Sequence, residues 1–337
     1  MARVAAPAAA PARNQPKEVT MPQSKSKNKN KSENKIIIGC LCAIGCETIF
    51  GLSYIFTKQA TNIASSLTLL SWRFVLAFLI MSICVAAGAI KINLKGKNLK
   101  PIIIVAIFDP IIYFVGETVG IGSTTASESG AFLACIPVAS LIASTLVLKK
   151  KPNRPQTVGI CITLAGVLMT VFAVGLTASF SVIGYMMLTV AVIAYALYGV
   201  YVEKATAFTG AEITYIMLAA GAAAFAFCAI IEGCLKGQLG TLATLPFRNM
   251  DFLTAVLYQA VGCSILAFFL SNVAIANIGM NRTASFIGIS TVVSIAAGIL
   301  WLHENFTAWQ LVGAAVIIAG VYIANIKQKE ARDDRTK

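Results

Sequence analysis

The sequence predicts an all-α membrane protein of ten transmembrane helices, arranged as two inverted five-helix repeats with both termini cytoplasmic. Three observations predict it. Of the 337 residues, 58% are hydrophobic and only 12% charged, against about 45–50% apolar and about 25% charged in soluble domains. The basic residues concentrate in alternate breaks between apolar runs, and an internal similarity recurs at an offset of 154 residues. Such a composition excludes a soluble globular enzyme, because a chain this apolar needs lipid around it.

Residues 1–35 join an Ala/Pro-rich stretch to a polar run, SKSKNKNKSENK, without the apolar core of a signal peptide. They are expected to form a disordered basic cytoplasmic tail that meets anionic lipid rather than nucleic acid. Ten apolar segments follow, at 36–57, 66–90, 101–122, 126–148, 156–176, 181–202, 211–234, 252–276, 281–302 and 307–326. Each reaches the roughly 20 residues that cross a bilayer. The breaks carry charge or turn residues, as in Lys91 to Lys100, Lys149 to Arg154 and Lys236 to Asp251, and only the last exceeds ten residues. The loops are therefore expected to be too short to fold alone. Residues 327–337 form a second cytoplasmic tail.

Orientation follows from the rule that cytoplasmic loops carry the excess of Lys and Arg. With the N-terminus inside, 23 of the 27 basic residues fall on the cytoplasmic face, while Lys58, Lys236 and Arg248 fall outside and Arg73 lies within a helix. Both termini on one face require an even number of helices.

The internal repeat sets the domain plan. Gly159 and Gly166 of GICITLAG fall on Gly313 and Gly320 of GAAVIIAG. Upstream, Phe132, Val138, Ser140, Ala143, Leu146 and Leu148 fall on identical residues 154 positions later, as do Phe114, Val119 and Ile121. One ungapped offset across three helices points to a first repeat at 36–176 and a second at 181–326. Five is an odd number, so the two repeats must be oppositely oriented, which is the plan of many secondary transporters.

These residues resemble a known family. Leu302-His303-Glu304-Asn305-Phe306-Thr307 followed by Gly313 and Gly320, together with Arg73 in SWRFVLAFLI, the turn STTASESGAF and Pro137 in CIPVAS, are similar to the EamA-like family of the drug/metabolite transporter superfamily. The resemblance covers residues 36–326. Lys150 stands where the family's first repeat usually has Glu, and Thr291 where the second would show Pro. The resemblance implies ten helices and export of a small metabolite, such as an amino acid or related compound, across the inner cell membrane. Glu304 is the family-motif carboxylate at the start of the tenth helix, where it meets the positive end of the helix dipole.

Ionisable groups inside a bilayer cost about 2.5–3.5 kcal/mol each at a helix centre, so they are functional candidates by default. Glu47 lies near the middle of the first segment, Arg73 in the second, and Asp109 and Glu117 in the third. Spacings of four put Asp109, Tyr113 and Glu117 on one helix face. Arg73 and Glu117 sit at similar depth and are expected to form a structural ion pair. Asp109 precedes Pro110, which removes a backbone donor and breaks the helix; a carboxylate beside a broken helix suits a proton or ion site. In the repeat, Asp109 and Glu117 fall on Cys263 and Ser271, so the fold does not require charge there. Tyr54, Tyr113, Tyr195, Tyr198, Tyr258 and Asn272 are expected to complete a substrate pocket with Glu47 and Asp109, since a tyrosine offers an apolar ring and a polar tip. Tyr185, Tyr322, Trp301 and Trp309, near segment ends, suit the membrane interface.

Nine scattered cysteines and a single histidine, His303, give no disulfide framework and no metal site. No GxxxxGK[ST] loop exists for ATP, so no cofactor is expected and protons are the candidate coupling ion. The expected partners are a small-molecule solute and the bilayer, with the chain a monomer or a homodimer. An integral-membrane enzyme would need catalytic polar groups clustered in a loop, where this chain offers almost only lysine. A channel would need a ring of equivalent filter groups.

Overall fold

Runs of about 20 apolar residues can satisfy their backbone in lipid only as helices or closed barrels, and here they form helices. A computed structural model describes residues 23–123, 132–173, 181–302 and 307–326. The helices are α1 (Gln23–Thr61), α2 (Ser66–Ala86), α3 (Lys100–Ala106), α4 (Tyr113–Ser123), α5 (Ile136–Leu148), α6 (Arg154–Ala173), α7 (Val182–Lys204), α8 (Gly210–Lys236), α9 (Leu239–Arg248), α10 (Met250–Leu257), α11 (Phe268–Ile278), α12 (Met280–Ser285), α13 (Ile287–Leu302) and α14 (Ala308–Asn325). Two wider, π-helical stretches, Ile107–Ile112 and Tyr258–Ala267, join α3 to α4 and α10 to α11. No strand occurs among the described residues.

Seven of the described helices are long and apolar enough to cross a membrane: Glu33–Thr61, Ser66–Ala86, Lys100–Ile121, Val182–Lys204, Gly210–Lys236, Met250–Ile278 and Ala308–Asn325. The remaining apolar segments of the sequence also hold helices, α5, α6 and the α12–α13 pair. The interior is largely apolar but holds polar and charged side chains, and the exterior carries many large apolar ones. Glu47, Arg73, Asp109, Ser140, Thr214 and Asn272 are buried, whereas Ile83, Leu146, Leu235, Leu300, Trp301, Trp309 and Tyr322 face outward. Water would make that arrangement costly, and a hydrocarbon surround makes it favourable. This is a multi-pass membrane protein.

The ends of the helices follow local chemistry. Thr209 and Glu212 exchange side-chain and backbone hydrogen bonds as a capping box at the start of α8, and Thr307 and Gln310 do the same for α14. Pro137 occupies the first turn of α5, where its missing N–H is not needed. Gly237 ends α8 with φ of 65°, the left-handed conformation that favours glycine.

Packing centres on four seams. α2 lies along α8, α4 along α7, and α1 lies in the groove between α11 and α13. The most extensive seam joins α6 to α14, and it is built on the repeated glycines. A Cβ on Gly166 would sit 2.9 Å from the Gly313 carbonyl and 2.8 Å from the Ile317 nitrogen, and one on Gly320 would sit 2.8 Å from the Gly159 carbonyl. These neighbours are backbone atoms that cannot swing away, so only glycine lets the helices approach this closely.

Three features differ from the sequence expectation. α1 starts at Gln23, well before the apolar run, so helix continues through the polar lysine-rich stretch once the apolar part has nucleated it. The long break after Lys236 is not a plain loop: Leu239–Arg248 is helical, tied down by the Trp72 indole donating to the Leu242 carbonyl at 2.8 Å. Finally, the third and eighth apolar segments are not regular α-helices but carry the π-helical stretches at their centres.

Candidate functional site

The first π-helical stretch places the central carboxylate. Asp109 leaves helical geometry altogether, with φ of −140° and ψ of 117°, and joins Pro110 through a cis peptide bond. Its side chain is 3% exposed, and its Oδ1 has no hydrogen-bond partner. The Pro110 ring packs where Gly221 of α8 lacks a side chain; a Cβ there would lie 2.9 Å from the ring. The break is thus wedged in place by the neighbouring helix.

Arg73, on α2, is 6% exposed. Its Nε donates to the Ser264 Oγ at 2.7 Å, and its guanidinium lies 4.7 Å from the centre of the Phe114 ring and 5.2 Å from that of Phe74. Aromatic faces stabilise a cation away from water. Nη2 remains without a partner. The expected Arg73–Glu117 ion pair is not formed. Glu117 instead accepts a hydrogen bond from the Tyr113 hydroxyl one turn back, at 2.8 Å, and Arg73 is drawn to the second π-helical stretch by Ser264. Helix depth placed the two charges at one level, but helix rotation, which depth does not fix, gave each a nearer partner.

Glu47, on α1, is 5% exposed and faces Ser290 of α13. The acidic groups lie near one another's tyrosines: Glu47, Asp109 and Glu117 all act electrostatically on the Tyr113 hydroxyl, and Glu47 and Asp109 act on that of Tyr195. Tyr113, Tyr195 and Tyr198 form a continuous aromatic run with successive ring centres 5.5 Å apart. Of the predicted pocket residues, the structure therefore brings together Glu47, Asp109, Tyr113, Tyr195 and Tyr198.

Tyr198 also reaches beyond this group, and the remaining predicted residues have different surroundings. The Tyr198 hydroxyl donates to the Asn272 Oδ1 at 2.8 Å, and the Asn272 amide donates to Thr214 at 3.0 Å. Tyr198 and Asn272 thus tie α7, α11 and α8 together at a fully buried point. Tyr258 lies apart from the acidic cluster: its hydroxyl donates to the Ile49 carbonyl at 2.9 Å and its ring stacks on Phe56 at 4.1 Å. The Tyr54 side chain and Glu304 lie outside the described parts of the chain. Gly159, Gly166, Gly313 and Gly320 belong to the α6–α14 seam rather than to the site.

Several contributors were missed in the sequence. Ser264 holds Arg73, Thr214 completes the Tyr198 network, and Gln259 donates to Thr57 across the α1 interface. One signal was available: Ser264 is the counterpart of Pro110 at the repeat offset. Thr214 and Gln259 carry no comparable mark. Among the described residues no group of three His, Cys, Asp or Glu side chains converges to hold a metal.

Three ion pairs lie toward the ends of the bundle, away from the central charges. Near one end, Lys97 reaches Glu212 at 2.8 Å, and Lys150 pairs with Glu203, which also accepts from the Met280 N–H at 2.8 Å. Toward the other, Lys236 pairs with Glu232 at 2.6 Å beside a cavity of about 340 Å³ lined by Thr61, Ser65, Thr68 and Leu242 among others.

The EamA-like transporter family matches this chain twice, over residues 37–172 and 182–326. An uncharacterized transporter of Bacillus subtilis, YcxC, is 31% identical over 288 residues, covering 85% of this chain and 92% of the relative. A second, YvbV of the same organism, is 24% identical over 83% of this chain and 89% of its own length. Among solved structures, one protein of 15% sequence identity superposes with a TM-score of 0.71 over 85% of this chain and 97% of that one, which shows a shared fold. With buried charges at the centre of a multi-pass bundle and a family match on each half of it, the chain belongs to the EamA-like transporter family and is a membrane transporter.

Proposed function

We propose that the chain is a proton-coupled secondary carrier that exports a small metabolite, an amino acid or a related compound, across the cytoplasmic membrane. It has ten helices in two inverted halves, both termini cytoplasmic, and works by alternating access of the halves. The observation that carries this reading is the burial of Glu47 and Asp109, each without a salt-bridge partner among the described residues, near an aromatic run and a break in the helix. Groups that costly to bury persist where an ion or solute completes them.

The packing supports the inverted arrangement. At the offset of 154, Gly159 corresponds to Gly313 and Gly166 to Gly320. In the α6–α14 seam Gly159 meets Gly320 and Gly166 meets Gly313. Each contact is thus the other with the halves exchanged, as a two-fold axis requires. The same exchange turns the α4–α7 contact into the α11–α1 contact, and α5–α7 into α13–α1, all of which occur. The two π-helical stretches also correspond, because residues 107–112 map into 258–267.

The test is transport by the purified full-length chain in liposomes loaded with a panel of amino acids, amines and organic acids under an imposed pH gradient. The parent should move at least one solute class uphill. Glu47→Gln should abolish the uphill movement while retaining exchange of the same solute at equilibrium, since exchange needs the pocket but not the proton. A Glu47→Gln carrier that still follows the gradient would remove protons from the mechanism at that residue.

A further inference from the structure

The helices sort into two groups and two axial pairs. α1 packs with α11 and α13, and α7 packs with α4 and α5, so that exchanging the repeats turns one group into the other. The α2–α8 and α6–α14 pairs exchange with themselves. Rocking of one group against the other is what opens and shuts the ends of such a bundle, and contacts between the groups therefore decide which end is shut. Those contacts are unequal. α11 packs on α7, and α12 packs on α5 and α7, whereas among the described residues no seam joins α4 to α1, the contact into which α11–α7 is turned by the exchange. The groups are drawn together at the end of the bundle that carries Lys97, Lys150 and Lys204.

Glu203 fastens that meeting point. It stands in the last turn of α7, where the negative end of the helix disfavours a carboxylate, so its place there needs another reason. Its Oε2 accepts the Met280 N–H at the start of α12 at 2.8 Å, its Oε1 pairs with Lys150 beyond the end of α5, and it lies against Gly279, where a Cβ would be 3.3 Å from Oε1. Met280 is 1% exposed, and its sulfur fills the gap left by Gly199 of α7. The Lys150 side chain is 62% exposed and that of Glu203 13%. An exposed ion pair contributes little by itself. The hold rests instead on the sheltered carboxylate and the backbone N–H it accepts, a charge-assisted bond, with Lys150 orienting the carboxylate. The Lys97–Glu212 pair differs, since it ties the α2–α3 loop to the capping box of α8 and does not cross between the groups.

We infer that Glu203 is a latch: by holding the start of α12 to α7 and α5 it keeps the two groups together at the lysine-rich end, and that end opens only when the bond from Met280 to Glu203 parts. This rests on the transporter reading above and adds the residue that sets the carrier's resting state. In the proposed orientation the structure is then the conformer shut toward the cytoplasm. An equilibrium between two conformers is biased by a contact that one has and the other lacks. The opposite end holds the cavity of about 340 Å³, between the α1–α2 turn and the segment that joins α8 to α9, and it is the end that draws closed when the latch parts.

The experiment follows amide hydrogen exchange of the full-length protein in detergent, with no solute present. Glu203→Ala removes the latch, and Lys150→Glu, at an exposed side chain, sets a second carboxylate beside it without touching the backbone contacts. Each should speed exchange at residues 279–286 by about tenfold or more. Each should also slow exchange at residues 61–68 and 238–245, around the cavity, by about threefold, because opening one end closes the other. The distant slowing is decisive, since a side chain that only stiffens its surroundings gives the first effect without the second. Lys97→Gln should loosen residues 91–100 and leave 279–286 and the cavity end as in the parent. A cavity end that stays unchanged or loosens in Glu203→Ala and Lys150→Glu overturns the inference, as does the same reciprocal pattern from Lys97→Gln. The liposome assay answers separately for the carrier. A parent that moves no solute while its two ends respond reciprocally discards transport and keeps the latch, and a parent that transports while its ends do not respond keeps the carrier and discards the latch.

Discussion

The third membrane span and its counterpart 154 residues later break at the same place with different chemistry. Around residues 107–112 the break is made by Pro110 and carries Asp109, with Glu117 further along; around 258–267 the helix widens with Cys263 and Ser264 at the matching positions and Ser271 further along. Both stretches bury one side, Asp109 and Pro110 in the first and Gln259, Cys263 and Ser264 in the second, and both pack against α8. The architecture therefore needs an irregular helix at this depth on each side of the core, but it needs carboxylates on neither. On the proposed reading, a charge present in one half and replaced by a thiol or hydroxyl in the other serves a solute or a proton. The neutral half does the positioning: Ser264 orients Arg73, and Asn272 with Tyr198 locks three helices together.

The sharpest way to break this comparison is to neutralise each half in turn. Asp109→Asn should abolish gradient-driven transport in liposomes, whereas Cys263→Ser, at the matching position, should change the rate by no more than about two-fold, in line with a near-isosteric change worth about 0.5 kcal/mol. Equal loss from both would mean that the charge is part of the scaffold. On stability the order should reverse. Asn272→Leu leaves the Tyr198 hydroxyl and Thr214 without their partner in a buried network, and should lower unfolding stability in detergent by about 1–3 kcal/mol. Asp109→Asn, which removes a group that has no partner at Oδ1, should leave stability unchanged or raise it.

The smallest expected effect concerns the missing ion pair. Because Arg73 and Glu117 bond to Ser264 and Tyr113 rather than to each other, a cycle of Arg73→Gln, Glu117→Gln and the double variant should give a coupling below about 1 kcal/mol in chemical or thermal unfolding, the range for groups without a direct bond. A coupling of about 3 kcal/mol or more would indicate that the two close into a buried pair.

Length and apolarity were enough to place the helices and the membrane around them, because a run of some 20 apolar residues has few ways to satisfy its backbone in lipid. The repeat offset, the glycines that line the α6–α14 seam and the four ionisable candidates were readable for a related reason: burying a charge or choosing glycine is costly enough to stand out in an apolar background. The partners of those charges were not readable. Which hydroxyl reaches Arg73, or whether Tyr258 faces the acids or Ile49, depends on how each helix is rotated and how far it is shifted along its neighbours. Those quantities are set by side-chain packing across chain separations such as the 191 residues between Arg73 and Ser264. The π-helical stretches moved them again, since a locally widened turn changes the rotation of everything beyond it. Tertiary packing alone therefore decided that Arg73 bonds to Ser264 and that Asp109 lies buried at the break beside Pro110 rather than in a pair with it, a result of anchors that belong to other helices.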